Sequence, residues 1–213
     1  MLGNPSGTNH SSAGNIISLY QRLAVEWDKE RGKSLMEKNW LDDFLDICGL
    51  SPSILDLGCG SGEPIARYLI SAGARIMGID SSPTFITLCK ERFPGQSWQV
   101  ADMRSLHLGS LFNGVLAWDS FFHLPPDDQR AMFPFFRAHA APGAALMFTS
   151  GHLYGEAIGV FHGEELYHAS LSPSEYRTLL SQNGFTVMRY KENDPCCGRH
   201  TIWLARLDEP LTY

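Results

Sequence analysis

The chain has 213 residues, 44% hydrophobic and 19% charged, with 17 Lys and Arg against 23 Asp and Glu, so its net charge is −6. These values suit one globular domain, and an acidic balance without a basic tract argues against a nucleic-acid partner. No run of about 18 apolar residues offers a membrane span, no secretory signal is evident, and five cysteines, an odd number, favour a reducing cytoplasm over a disulfide framework.

Residues 1–14, rich in Gly, Asn and Ser, are expected to form a disordered tail, and 15–213 a single domain. Ile16, Leu19, Tyr20, Leu23 and Trp27 recur at helical spacing and predict one helix from Ile16 to about Arg31. A second helix is predicted from Ser34 to Cys48, stopped by Gly49. These elements, within residues 15–49, would lie across one end of a sheet. Strands and helices then alternate. Strands are predicted at Ser53–Leu57, Arg75–Ile79, Trp98–Val100, Gly114–Trp118 and Ala144–Thr149. Helices are predicted at Gly62–Ala72, from Ser82-Pro83 to Phe93, and at Pro126–Ala140 with Pro134 inside. Residues 151–171 show no clear period and are expected to be a substrate loop. Ser172-Pro173-Ser174-Glu175 is a capping box that starts a helix to Gln182. Phe185–Tyr190 and Thr201–Arg206 are joined by too few residues for a parallel crossover, so they pair antiparallel.

The most informative stretch is Ile54-Leu55-Asp56-Leu57-Gly58-Cys59-Gly60-Ser61-Gly62, followed by Gly78-Ile79-Asp80. It reads as a buried strand, a tight glycine turn and a helix, then a strand ending in a carboxylate that can hold a ribose diol. A dinucleotide site has the pattern G-x-G-x-x-G; here its last position is Glu63, which would repel a pyrophosphate. Asp56 suits an ammonium or sulfonium. With Ala101-Asp102-Met103 at the next loop, the chain resembles the class I S-adenosylmethionine-dependent methyltransferases. The resemblance is specific over about residues 50–150 and extends to the C-terminus by element order alone. It implies a Rossmann-like α/β fold with seven strands in the order 3-2-1-4-5-7-6, and S-adenosylmethionine as cofactor. It also implies backbone contacts from Gly58, Cys59 and Gly60, an ammonium partner in Asp56, a ribose partner in Asp80 and an adenine partner in Asp102 near Met103. Ser81 and Trp118 are further expected contacts. Tyr20 and Trp27, on a helix that would cover the site, would stack on the pocket, with Arg31 reaching the methionine carboxylate.

Residues 118–124 follow the fourth strand and would face the transferring methyl. They lack the Asn-Pro-Pro-Tyr motif of enzymes that methylate adenine or glutamine amides, and the Pro-Cys of those that methylate C5 of a pyrimidine. His123 is the candidate base, or else a histidine that only packs beneath the pocket. His152, His162 and His168 with Glu164 or Glu165 match no compact zinc spacing, so no metal is expected. Cys196-Cys197 reads as a redox or metal pair or, more simply, as turn residues. The expected activity is methyl transfer to O or N of a small-molecule acceptor by a monomer or homodimer. A non-catalytic cofactor-binding module and an NAD-dependent oxidoreductase are the alternatives.

Overall fold

Apolar residues alternate along the strands, and the alternation divides the core into two layers. Leu55, Leu57, Leu146 and Phe148 point to one face of the sheet, whereas Ile54, Ile76, Ala145 and Met147 point to the other. A computed structural model describes residues 11–209. Its strands are β1 (Ser53–Leu57), β2 (Arg75–Asp80), β3 (Ser97–Val100), β4 (Phe112–Ala117), β5 (Ala140–Ser150), β6 (Gly155–Phe161), β7 (Glu164–Ser170), β8 (Phe185–Asp194) and β9 (His200–Leu207). Its helices are α1 (Ile16–Arg22), α2 (Ala24–Glu30), α3 (Lys38–Cys48), α4 (Ile65–Ser71), α5 (Pro83–Arg92), α6 (Pro126–His139) and α7 (Pro173–Gln182).

Seven strands form one sheet in the order β3-β2-β1-β4-β5-β9-β8. This is the anticipated 3-2-1-4-5-7-6 order, with β6 and β7 standing apart as a separate hairpin. The first five strands pair in parallel, and β9 runs antiparallel to both neighbours. Helices α6 and α7 cover one face, where Phe121, Phe133, Phe136, Phe148 and Tyr176 form an aromatic core with neighbouring rings 5.2–6.2 Å apart. Helices α3, α4 and α5 cover the other through Trp40, Phe44, Leu69 and Ile86. Two caps form as their sequences dictate: Ser82 Oγ accepts from Phe85 N–H and Ser172 Oγ from Glu175 N–H.

Several boundaries differ from expectation. Of the expected tail, residues 1–10 lie outside the described residues, while Ser11–Asn15 form a 3₁₀ turn with Ser12 buried. The helix predicted over Ile16–Arg31 is two helices that bend at Leu23 (φ −103°, ψ 17°). The bend brings the Tyr20 and Trp27 rings to 5.5 Å, edge to face, although residues seven apart on a straight helix are separated by about 10 Å. Helix α3 begins at Lys38, four residues later than predicted, and α4 at Ile65, because the glycine turn continues through Pro64. Residues 151–171 are not irregular. They carry the β6–β7 hairpin, closed by His162 and Gly163, whose positive φ angles of 49° and 81° match the twist of a two-residue turn.

The hairpin and α5 hold α1 and α2 from two sides. Arg92 grips Asp28 with two bonds of 2.6 Å, Ser82 Oγ donates to Gln21, Arg22 pairs with Glu164, and Trp27 meets the Phe161 ring at 5.5 Å. Among the described residues, no helix is long and apolar enough to cross a membrane.

Candidate active site

Parallel pairing sets the carboxyl ends of β1, β2 and β4 on one edge, and strand order reverses between β1 and β4. A crevice opens there, as it does in sheets of this kind. It contains about 1150 Å³ of space, partly open to solvent. Every anticipated site residue borders it. Asp56, Gly58, Cys59 and Gly60 come from β1 and its turn, Asp80 and Ser81 from the tip of β2, and Asp102 and Met103 from the loop after β3. Trp118 and His123 follow β4, and Tyr20 and Trp27 descend from α1 and α2.

The turn is fixed by its own backbone. The N–H groups of Gly58 and Cys59 both donate to Ile79 O, at 2.7 and 3.0 Å, which ties the turn to β2. Two of the crevice glycines, Gly58 and Gly60, serve different ends. A Cβ on Gly58 would lie 2.2 Å from Ser120 Cβ, whose Oγ donates to Leu57 O at 2.6 Å, so Gly58 makes room for protein. A Cβ on Gly60 would meet nothing within 4 Å, so Gly60 borders open crevice.

Asp80 joins the two strand tips. Its Oδ2 accepts from Gly60 N–H at 3.0 Å and its Oδ1 from Ser82 N–H at 2.8 Å. Burial raises its pKa to about 6 against the pull of those donors. Asp56 is 4% exposed, and no hydrogen bond or ion pair reaches its carboxylate among the described residues. Burial, with the charge of Asp80, raises its pKa to about 7. Two neighbouring buried carboxylates without a cation make a site that a positively charged ligand would complete.

Asp102 is differently placed. The Arg104 guanidinium grips both its oxygens and holds its pKa below the ordinary carboxylate range. An adenine amino group would therefore share the carboxylate with Arg104. Arg31 reaches the crevice but is paired with the wholly buried Glu37, whose second oxygen has no partner among the described residues. The buried Trp118 indole N–H also lacks one. The repulsion expected of Glu63 is muted, because Arg67 pairs with it.

Sequence reasoning did not bring together two further features. Asp119, in the strained left-handed region (φ 47°), pairs with His200 Nε2 at 2.8 Å, and the other ring nitrogen of His200 faces Cys197 O at 2.8 Å. Burial alone would lower the His200 pKa; the Asp119 carboxylate reverses this and raises it. On the other side of the crevice, His123 Nε2 lies 2.9 Å from Tyr20 Oη and Nδ1 2.7 Å from Tyr167 O. The partners in both features stand far apart along the chain, so no local signal marks them. Among the described residues no cluster of three His, Cys, Asp or Glu side chains could hold a metal ion; His162 pairs with Glu30, and His168 packs on Phe122 and His123. Cys196 is exposed and Cys197 buried, and all five cysteines are free.

A methyltransferase domain family model matches residues 54–143, the segment that builds the turn, Asp80 and Asp102. Over these residues the chain is similar to that methyltransferase family. It is 28% identical over 147 residues to an O-methyltransferase of Pyrenophora dematioidea, covering 63% of this chain and 54% of that protein. It is 29% identical over 110 residues to trans-aconitate 2-methyltransferase of Azoarcus sp. (strain BH72), covering 49% and 41%. The matched parts thus span about half the length of these relatives. In fold it is similar to the 1,6-didemethyltoxoflavin-N1-methyltransferase of Burkholderia thailandensis, solved with its substrate and S-adenosylhomocysteine. That likeness has a TM-score of 0.72 and 18% identity over 98% of this chain and 94% of that one. S-adenosylmethionine, this methyltransferase family's cofactor, fits the crevice on chemical grounds. Its ammonium and sulfonium would supply the positive charge that Asp56 and Asp80 lack, and open space beside Gly60 admits close backbone approach.

Proposed function

We propose that this protein transfers the methyl group of S-adenosylmethionine to an oxygen or nitrogen of a small-molecule acceptor. The observation that carries the reading is the pair of buried carboxylates at the crevice, Asp56 and Asp80, neither of which pairs with an Arg or Lys among the described residues. When bound, the cofactor supplies a methyl group already activated on sulfur, so the chain's task is to bind, align and exclude water. Asp80 would hold the ribose hydroxyls and Asp56 the ammonium, while Gly58, Cys59 and Gly60 present backbone. Ser81, Asp102 and Met103 would border the adenine, and Trp118 would offer its unpaired N–H to the cofactor. Tyr20 and Trp27 would close the crevice over it. The space left among Asp119, Ser120, His123 and Tyr20 would receive the acceptor. Related proteins named as O-methyltransferases support an oxygen acceptor, and a toxoflavin-precursor N-methyltransferase of similar fold supports nitrogen. Free thiols fit work in the reducing cytoplasm, as a monomer or homodimer.

Incubation of purified protein and methyl-labelled S-adenosylmethionine with metabolite extract, read by mass spectrometry, tests the proposal. New labelled species are expected. Tight cofactor binding with no product from any extract would favour a non-catalytic binding module. Thermal stabilisation by NAD rather than by S-adenosylmethionine would favour an oxidoreductase.

A further inference from the structure

We propose that Tyr20 is the group that meets the acceptor's proton and that His123 stores it, so that the crevice selects acceptors presenting a hydroxyl or amine hydrogen over carboxylates. The inference rests on the methyltransferase reading. It starts from the Tyr167 carbonyl, which can only accept. His123 Nδ1, 2.7 Å away, must therefore carry a hydrogen. In the neutral ring this leaves a lone pair on Nε2, and Tyr20 Oη at 2.9 Å donates its one proton there. The packing holds this arrangement. His123 is 7% exposed, with His168 against one side at 4.8 Å and Tyr20 at 5.3 Å.

Two consequences follow for the acceptor. Nε2 is capped, so His123 does not touch it, and Tyr20 Oη offers only lone pairs. A group bound there must donate a hydrogen. A carboxylate would face those lone pairs and the negative charges of Asp119 and Asp80, both close enough to act on Tyr20. As the acceptor atom bonds the methyl carbon, the C–S bond breaks and its electron pair stays on sulfur. The acceptor's proton passes to Tyr20 Oη, and Tyr20's own proton passes to His123 Nε2. Burial, with His168 beside it, holds the His123 pKa down at about 4, so the imidazolium is short-lived; its Nδ1–H bond to Tyr167 O and the Asp119 charge offset part of that cost. The imidazolium returns the proton by the same path once product leaves. A strong base is not needed, because the acceptor atom becomes strongly acidic as it is methylated.

The test uses Tyr20→Phe, which keeps the ring, His123→Gln and the double variant, with the acceptor found in the labelled-cofactor screen. Each single variant is expected to lose about 100-fold or more in kcat. The double variant should lose no more, and S-adenosylhomocysteine affinity should stay within about threefold, well under the tenfold step that 1.4 kcal/mol represents. The wild-type rate should be flat across neutral pH, while Tyr20→Phe should gain rate with pH as the acceptor ionises unaided. Nitrogen NMR of the wild-type ring should report neutral His123 with hydrogen on Nδ1 at pH 7. Hydrogen on Nε2, or an imidazolium, would overturn the relay. Equal labelled product from wild type and Tyr20→Phe would overturn the relay alone. No labelled product from wild type would overturn the methyltransferase reading and the relay with it.

Discussion

Replacing Asp56 by Asn should stabilise the ligand-free protein while removing its grip on the cofactor. The carboxylate is buried, and its pKa is raised from 3.8 to about 7 by burial and then by Asp80. The folded protein therefore holds a proton that the unfolded chain releases near pH 4. Stability falls as pH rises from about 4 to about 7, because the folded state binds more protons in that window. A rise of roughly 3 pH units, at about 1.36 kcal/mol each, costs on the order of 4 kcal/mol above pH 7. An amide of the same shape escapes that cost. For a chain of this size the variant's melting temperature should exceed wild type by roughly 10 °C at pH 8, and the difference should vanish near pH 4. Calorimetric melting across that range measures it. S-adenosylmethionine should narrow the gap at pH 8, since it would stabilise wild type far more than the variant. A variant less stable than wild type at pH 8, or an equal shift with cofactor in both, would refute the reasoning.

Three other outcomes are expected. Gly58→Ala should destabilise by roughly 2–5 kcal/mol, from overlap with Ser120 plus left-handed strain, whereas Gly60→Ala should cost only about 1–2 kcal/mol and act mainly on cofactor affinity; denaturant melts and calorimetry separate the two. His200, whose pKa the Asp119 carboxylate raises against the effect of burial, should titrate above the ordinary imidazole range, and Asp119→Asn should lower it; an unmoved NMR titration would rule out the pairing. Affinity for S-adenosylmethionine should rise with pH through about 7 as Asp56 ionises, with proton release on binding near pH 6. Calorimetry in buffers of different ionisation enthalpy reads that release, and a pH-independent affinity would contradict it.

The parts legible in the sequence are those whose causes are local. Strand β1 and its glycine turn, the Ser82 and Ser172 caps and the closing antiparallel hairpin each follow from residues a few positions apart. The crevice itself followed from the glycine turn together with Asp80 and Asp102. What escaped depends on distant partners. Asp119 reaches His200 across 81 positions and Tyr20 reaches His123 across 103, which no periodicity reports. The bend at Leu23 is tertiary too, since Phe85 and Phe161 draw Tyr20 and Trp27 to different neighbours. Two misses had local signals. His162-Gly163 between two seven-residue strands marks a hairpin turn, and Arg104, two residues past Asp102, was placed to take that carboxylate.

Titration calorimetry of S-adenosylhomocysteine against wild type and Asp80→Ala addresses most directly whether the carboxylates at the tips of β1 and β2 hold this cofactor. One saturable site on wild type, weakened at least about tenfold in the variant, is the expected result, since a charged hydrogen-bond partner contributes about 1.5–3 kcal/mol. No binding to wild type, or equal binding to both proteins, would contradict it.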